Sequence, residues 1–393
     1  MADNYAKLAL QMIGMDRMAD KKTYRLEPAA AFWISFLVVP MYLIGAFYGS
    51  WTVLLPILST WYLFNVLDYF IGQFKGSGDP STPESDLTWY RRVTTLWPFV
   101  QFILLFSAIW YIPRAEHLGP TETIFLFVGL GVITGTVGIN FSHELMHQKN
   151  RFERRLSEWL LAMVLYSHFR SEHLFVHHVH VATPRDTVTA RYNENFHRFF
   201  RRVVIEGIFS AWKAETALLA RKKLPATHWS NPFFRYAVQQ SAMLAFAFFL
   251  SGWVGMAWFV FQAFFAFWQL ELVNYVEHYG LTRKYLGDGK YEHVKPRHSW
   301  NADQRASNWL LLNLQRHSNH HFNPSLRFPL LQTYDNEEAP LLPYGYATMT
   351  LLALYPRGWR KFMNPRVREW RQMHYPEIED WTPYNKATNP TTT

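Results

Sequence analysis

The sequence predicts an all-α polytopic membrane protein: six transmembrane helices with a helical cytoplasmic cap that carries a histidine-rich di-metal site. Three observations predict it. Apolar residues gather into six blocks, although mean hydropathy over the 393 residues is near neutral at −0.13. Lys and Arg crowd the N-terminus, the 148–233 segment and the C-terminal region, and are nearly absent from the turns inside each pair of blocks. Histidines cluster tightly at the ends of two blocks and in the two segments that follow them.

Taken in order, residues 1–29 carry Lys7, Arg17, Lys21, Lys22 and Arg25 without a following short apolar core and cleavage site. They form a cytoplasmic segment rather than a secretory signal peptide. A membrane helix needs about 20 mostly apolar residues. Segments 30–49, 51–72, 94–113, 121–142, 234–251 and 254–276 qualify. They read as three hairpins, turning at Gly49-Ser50, between Pro113 and Pro120, and at Gly252-Trp253. Positive charge stays inside, so both termini face the cytoplasm across the inner membrane, as an even number of spans requires. The first four spans occupy 30–147. Residues 148–233 form cytoplasmic helices, 152–181 and 192–223. The last two spans occupy 234–280. Residues 281–380 form a cytoplasmic region with a Gly- and Pro-rich loop at 286–300 and a helix near 303–318. Residues 381–393, ending NKATNPTTT, read as a disordered tail or the start of a linker.

The 18% aromatic content, with 17 tryptophans, suits a chain with two membrane interfaces. The absence of cysteine excludes disulfides, thiolate metal sites, iron–sulfur clusters on this chain and cysteine nucleophiles. A net charge of +9 is compatible with nucleic acid, anionic lipid or an acidic protein partner. No aromatic-and-basic recognition motif accompanies it, so no nucleic acid is expected.

The fourth span ends in NFSHELMHQ, which contains the H-E-x-x-H pattern of zinc peptidases. His143 lies 22 residues after Thr121, roughly 33 Å along a helix, which places His143 and His147 at the inner boundary. The sixth span reaches His278, in NYVEHYG, at the same depth. SEHLFVHH adds His173, His177 and His178, and QRHSNHH adds His317, His320 and His321. In each of these the i, i+4 pair is expected on one helical face, with the doubled histidine on a neighbouring one. One metal uses three or four protein ligands; nine imidazoles fit two metals with four or five each. An all-nitrogen shell suits iron, zinc or copper. The other histidines are scattered, with His168 and His180 held in reserve. An intramembrane zinc peptidase, with Asp68 as its further ligand, and a metal transporter are minor alternatives, though a peptidase has no use for seven more clustered histidines. A metal transporter places its ligands at mid-membrane.

These motifs, in this order among six spans, resemble the integral-membrane alkane hydroxylases, part of a histidine-box group shared with membrane fatty-acyl desaturases. The likeness runs from about Phe32 to Pro365, with Asn274 to Gly280 and YEHVKPRHSWN (291–301) as the segments most specific to the hydroxylases. It implies a non-haem di-iron centre held by His143, His147, His173, His177, His178, His278, His317, His320 and His321. It also implies O₂ insertion into a terminal C–H bond and electrons from a rubredoxin, separate or fused. Desaturation and hydroxylation of aromatic methyl groups, as in xylene, are the alternatives on the same site. Val176, His180 and Asn319 stand where the family commonly has Gly, Asp and Asp.

Oxidising an inert C–H bond requires a redox-active metal. The chain has no flavin or nicotinamide fingerprint, so a partner must bring electrons, steered by the basic 148–232 segment. An n-alkane reaches the site from the bilayer. Trp61 lies near mid-membrane with Asn65 and Asp68 on the same helical face, and this face is expected to line the hydrocarbon tunnel, with Ile139 as a second wall. Asp68, Glu144, Glu172, Asn274 and Glu277 are expected behind the ligands, orienting imidazole N–H groups or offsetting metal charge.

Overall fold

The computed structural model describes residues 24–390. The expected positive residues up to Lys22 therefore lie outside the described residues. Four helices come first: α1 (Ala29–Tyr48), α2 (Ser50–Ile71), α3 (Thr88–Arg114) and α4 (Pro120–Met146). Three helices of the cap follow, α5 (Arg151–Ala162), α6 (169–180) and α7 (Phe196–Arg221), and then the 47-residue α8 (Pro232–His278). Among the described residues α1–α4 and α8 are the five helices long and apolar enough to cross a membrane. The expected fifth and sixth spans are the two arms of α8. Ser251 and Gly252 leave helical geometry between them, Gly252 at a φ of 57° that suits a residue without Cβ.

α4 is the centre of the bundle, with every residue from Gly129 to Met146 buried. Small residues let its neighbour come close, as helix packing without a hydrophobic drive requires. A Cβ on Gly131 would stand 2.6 Å from the Gln262 carbonyl oxygen, and one on Gly135 2.8 Å from that of Ala266. The helix that ends in the first histidine pair is thus locked against the arm that ends in His278.

Ion pairs fasten the cap to the bundle. Glu153 of α5 is buried between Arg327 (3.0 Å) and Arg91 of α3 (3.1 Å). Glu158 receives Arg235 at the start of α8 (2.7 Å). Buried carboxylates need such partners.

Two expected helices are interrupted. The 152–181 segment breaks between α5 and α6, where Leu165 adopts a φ of 54°. The 303–318 segment divides into α9 (Arg305–Leu310) and α10 (His317–Phe322), with Leu312 at 51° and Asn313 at 57° between them. Left-handed leucines cost about 1–2 kcal/mol each, and tertiary packing imposes them: Leu312 is buried and the Asn313 amide donates to the Phe328 carbonyl (2.9 Å). Two further helices, α11 (Tyr346–Ala353) and α12 (Pro356–His374), complete the C-terminal region. The glycine-rich loop holds a short hairpin, β1 (Tyr285–Gly287) with β2 (Lys290–Tyr291). Residues 381–390, expected to be disordered, are ordered against the cap. Trp381 packs on Trp370 and Tyr375, Arg371 donates to the Asn385 side chain (2.8 Å), and Tyr291 donates to that of Asn389 (2.9 Å).

Candidate metal centre

Each histidine is aimed by the end of an element. α4 delivers His143 and His147, α6 delivers His173, His177 and His178, α8 ends in His278, and α10 carries His317, His320 and His321. All nine rings converge and divide into two groups. His143, His147, His173, His178 and His320 form one, and His177, His278, His317 and His321 the other, with the ligand atoms of each group within 4.8 Å of one another. Adjacent residues serve different groups: His177 and His178 part company, as do His320 and His321.

The division corrects one expectation. His173 and His177, four apart, do not share a group; His173 and His178, five apart, do. Residues 173–177 are wound as a π-helix, whose wider turn brings i and i+5 together. The two remaining i, i+4 pairs, His143 with His147 and His317 with His321, sit on ordinary α turns and stay together. His168 and His180 fall in neither group.

The donor set fits metal ions. Nε2 atoms face one another at 3.1 Å (His147–His173), 3.0 Å (His173–His178) and 3.1 Å (His178–His320) in the group of five. In the group of four they lie at 3.1 Å (His278–His317), 3.0 Å (His317–His321) and 3.2 Å (His177–His321). Right-angled ligands at a metal–nitrogen distance of about 2.1 Å are spaced by about 3.0 Å. A neutral imidazole Nε2 offers one proton or one lone pair. His173, His178, His317 and His321, whose Nε2 atoms each face two others, therefore cannot bond both neighbours, whereas a cation among the lone pairs satisfies all of them. Burial holds His147, His173, His178, His317, His320 and His321 well below the ordinary histidine pKa, which keeps them in the neutral, metal-binding form.

Buried carboxylates surround the rings. Asp186 accepts from His177 Nδ1 (2.9 Å) and from Thr189 (2.6 Å), fixing the tautomer that leaves Nε2 free for metal. Burial opposes its charge, yet His177 outweighs this and its carboxyl lies below the usual range. Glu277 comes within 3.4 Å of His317 Nε2. Glu172 accepts from Thr187 (3.1 Å), and burial with Asp186 and Glu271 nearby holds it well above the usual carboxylate range. Asn274 donates to Glu271 (3.1 Å), which also accepts from Tyr166 (2.9 Å). The two remaining acids stand elsewhere. Glu144 accepts from Gln148 (2.8 Å). Asp68 accepts from the Ala306 and Ser307 amides (2.7 and 3.0 Å) and from the Ser307 hydroxyl. Neither meets a histidine, which corrects the orienting role expected of both. Asp186 and Glu271 are the residues that sequence reasoning missed. A lone acid nine residues after His177 was the available signal for the first.

On the membrane side the centre opens into a cavity of about 840 Å³, counting its mouth, lined by His143, His173 and His317 and otherwise largely apolar. Trp61 and Ile139 line it. Asn65 does not; its amide donates back to the Trp61 carbonyl (3.1 Å). Trp61 Nε1 donates to Gln269 Oε1 (3.2 Å), and the Gln269 amide donates to Thr136. This one amide ties α2, α4 and α8 together across the cavity wall. π turns at Ser59–Leu63 and Thr134–Ile139 present Trp61, Thr136 and Ile139.

Fold and site together define a helical membrane protein with two polyhistidine groups able to hold metal, placed at the end of an apolar cavity. The fatty acid desaturase family matches residues 120–353. Alkane 1-monooxygenase 2 of Pseudomonas aeruginosa is 38% identical, over 78% of this chain and 81% of that protein. Alkane 1-monooxygenase 2 of Alcanivorax borkumensis is 37% identical, over 86% and 89%. The hydroxylase component XylM of the xylene/toluene monooxygenase of Pseudomonas putida is more distant, 26% identical over 83% and 86%. The chain belongs to the alkane 1-monooxygenase family, within the wider fatty acid desaturase family.

Proposed function

We propose that the protein is a di-iron monooxygenase that converts medium- and long-chain n-alkanes to 1-alcohols, using O₂ and electrons from rubredoxin. The observation that carries this reading is the contact of both histidine groups with one apolar cavity. The proposed setting is the inner membrane, crossed six times with the arms of α8 counted separately and both termini cytoplasmic.

The nine histidines would hold the irons, which supply the redox chemistry that side chains lack. The protein's own contribution is positioning and exclusion. The cavity wall, from Phe64 to Leu310 and Leu314, accepts a chain with no polar groups and keeps water from the reacting carbon. The terminal carbon is presented where His143, His173 and His317 meet the cavity, while Trp61 limits how far the chain extends. Asp186 and Glu277, beside His177 and His317, would offset the positive charge of bound metal. One substrate, one O₂, two electrons and two protons balance as one alcohol and one water, so an external donor is part of the reaction.

Purified protein is expected to hold two iron ions per chain and to form 1-octanol from n-octane with reduced rubredoxin. A single ion per active chain, or an alkene or benzylic alcohol as the main product, defeats the proposal. Trp61→Ser is expected to move the activity profile toward longer alkanes by removing the indole from the cavity wall. An unchanged profile would show that Trp61 does not set chain length.

A further inference from the structure

Most polar side chains on the cavity wall are already engaged. Thr60 donates to the Pro56 carbonyl (2.7 Å) and Thr350 to that of Ala347 (3.0 Å). Gln269 is held between Trp61 and Thr136. Ser307 donates to Asp68, and Asn274 to Glu271 (3.1 Å). Two wall residues differ. One oxygen of Glu277 and the amide nitrogen of Asn140 are enclosed without a hydrogen-bond partner among the described residues. Glu277 belongs with the metals: it precedes His278, and its other oxygen lies 3.4 Å from His317 Nε2. Asn140 belongs with the hydrocarbon.

Asn140 is 7% exposed and lines the cavity from α4. It stands three residues before His143, which lines the same cavity, a rise of about 4.5 Å along the helix. A buried amide without a partner destabilises the fold. An alkane cannot relieve that cost, because it has nothing to donate or accept. The product of its hydroxylation can. A hydroxyl both donates and accepts, so it suits either end of an amide.

We propose that the Asn140 side-chain amide hydrogen-bonds the hydroxyl of the newly formed 1-alcohol and holds the product at the metal end of the cavity. Substrate and product then differ in one contact. The alkane is held by its apolar length alone, and the alcohol by the same length plus the amide. Asn140 is thus a specificity-determining residue that makes the cavity distinguish a terminal hydroxyl from a terminal methyl group. The inference rests on the monooxygenase reading and adds how the site meets its product.

The test uses the full chain, loaded with iron, in lipid nanodiscs. Octane hydroxylation driven by reduced rubredoxin is inhibited in turn by 1-octanol and by n-nonane, which carries a methyl group where octanol carries its hydroxyl. The ratio of the two inhibition constants is read in wild type, Asn140→Leu and Asn140→Ala. Leu keeps the volume of the side chain and Ala does not, so agreement between them separates a lost hydrogen bond from an altered cavity. The octanol-to-nonane ratio is expected to rise about five- to tenfold in both variants, as for loss of one hydrogen bond. A second readout needs no turnover. Thermal stabilisation by octanol, relative to that by nonane, should shrink in both variants. An unchanged ratio with unchanged relative stabilisation overturns the inference and leaves the amide to packing or a bound water. The monooxygenase reading survives that result as long as wild type forms 1-octanol from octane. Wild type that forms none removes the reading, while the thermal shifts still decide whether Asn140 binds a hydroxyl.

Discussion

His278→Ala is expected to lower iron content from two ions per chain to one and to reduce octane hydroxylation by more than about 100-fold, beyond the 10- to 100-fold typical of losing a residue that only supports a ligand. His278 belongs to no doubled-histidine motif. It is the last residue of α8, it belongs to the group of four, and its Nε2 faces that of His317 at 3.1 Å. Without it that group keeps only His177, His317 and His321. The group of five shares no ligand with it and should retain its ion. Metal analysis of the purified variant, with the same measurement on His168→Ala as a control outside both groups, decides the matter. Two ions retained in His278→Ala would mean that α8 does not contribute to the centre.

Asp68→Ala is expected to destabilise the protein by about 2–4 kcal/mol and to lower iron content with it, since three hydrogen bonds to a buried carboxylate are lost. Asp68 stands near the end of α2 and accepts from the first amides of α9. It serves as an N-cap supplied from a distant part of the chain, satisfying amides that a helix start leaves unpaired and opposing the positive end of its dipole. α9 leads directly to α10 and its three histidines, so loosening one loosens the other. Arg305 and Trp309 of α9 also bind Glu27 (2.9 and 3.1 Å), and this second tether should keep Asp68→Ala folded enough to measure. Asp68→Asn keeps one acceptor and should lose less. Thermal unfolding and iron content in detergent check both variants. Wild-type stability with altered iron binding would instead place Asp68 at the metals.

The histidines were legible because their information is local. Spacing and the lengths of the apolar runs bring His143, His147 and His278 to one level without knowledge of the packing. The division of the ligands between the groups was not legible, because it turns on a π winding at 173–177 that no periodicity announces. Gly252 signalled the break in α8, since the residue type matches the backbone it must adopt. Leu165 and Leu312 gave no such signal. Their left-handed backbones are set by the surroundings, against local preference. Asp68 was noticed as an acid in an apolar run, but its partners lie more than 230 residues away. Asp186 lies only nine residues after His177, but spacing alone does not announce the contact, which forms when the loop after α6 folds back.

The winding of α2 has a consequence for its length. A π turn holds one residue more than the α turn it replaces. Deleting one residue from Ser59–Leu63 would let that turn relax to ordinary pitch with little change of phase beyond it, whereas deleting one from the α-helical stretch between Phe64 and Leu67 would swing everything beyond it by about 100° and 1.5 Å. Trp61 and Asp68 straddle this stretch, one facing the hydrocarbon and the other holding the helix before the last histidines. Substitutions on the outer flank of α2, such as Tyr62 or Val66, leave that phase relation intact; a residue lost or gained between Phe64 and Leu67 does not. The reach of the pocket and the anchoring of the metals are therefore set by the same residue count.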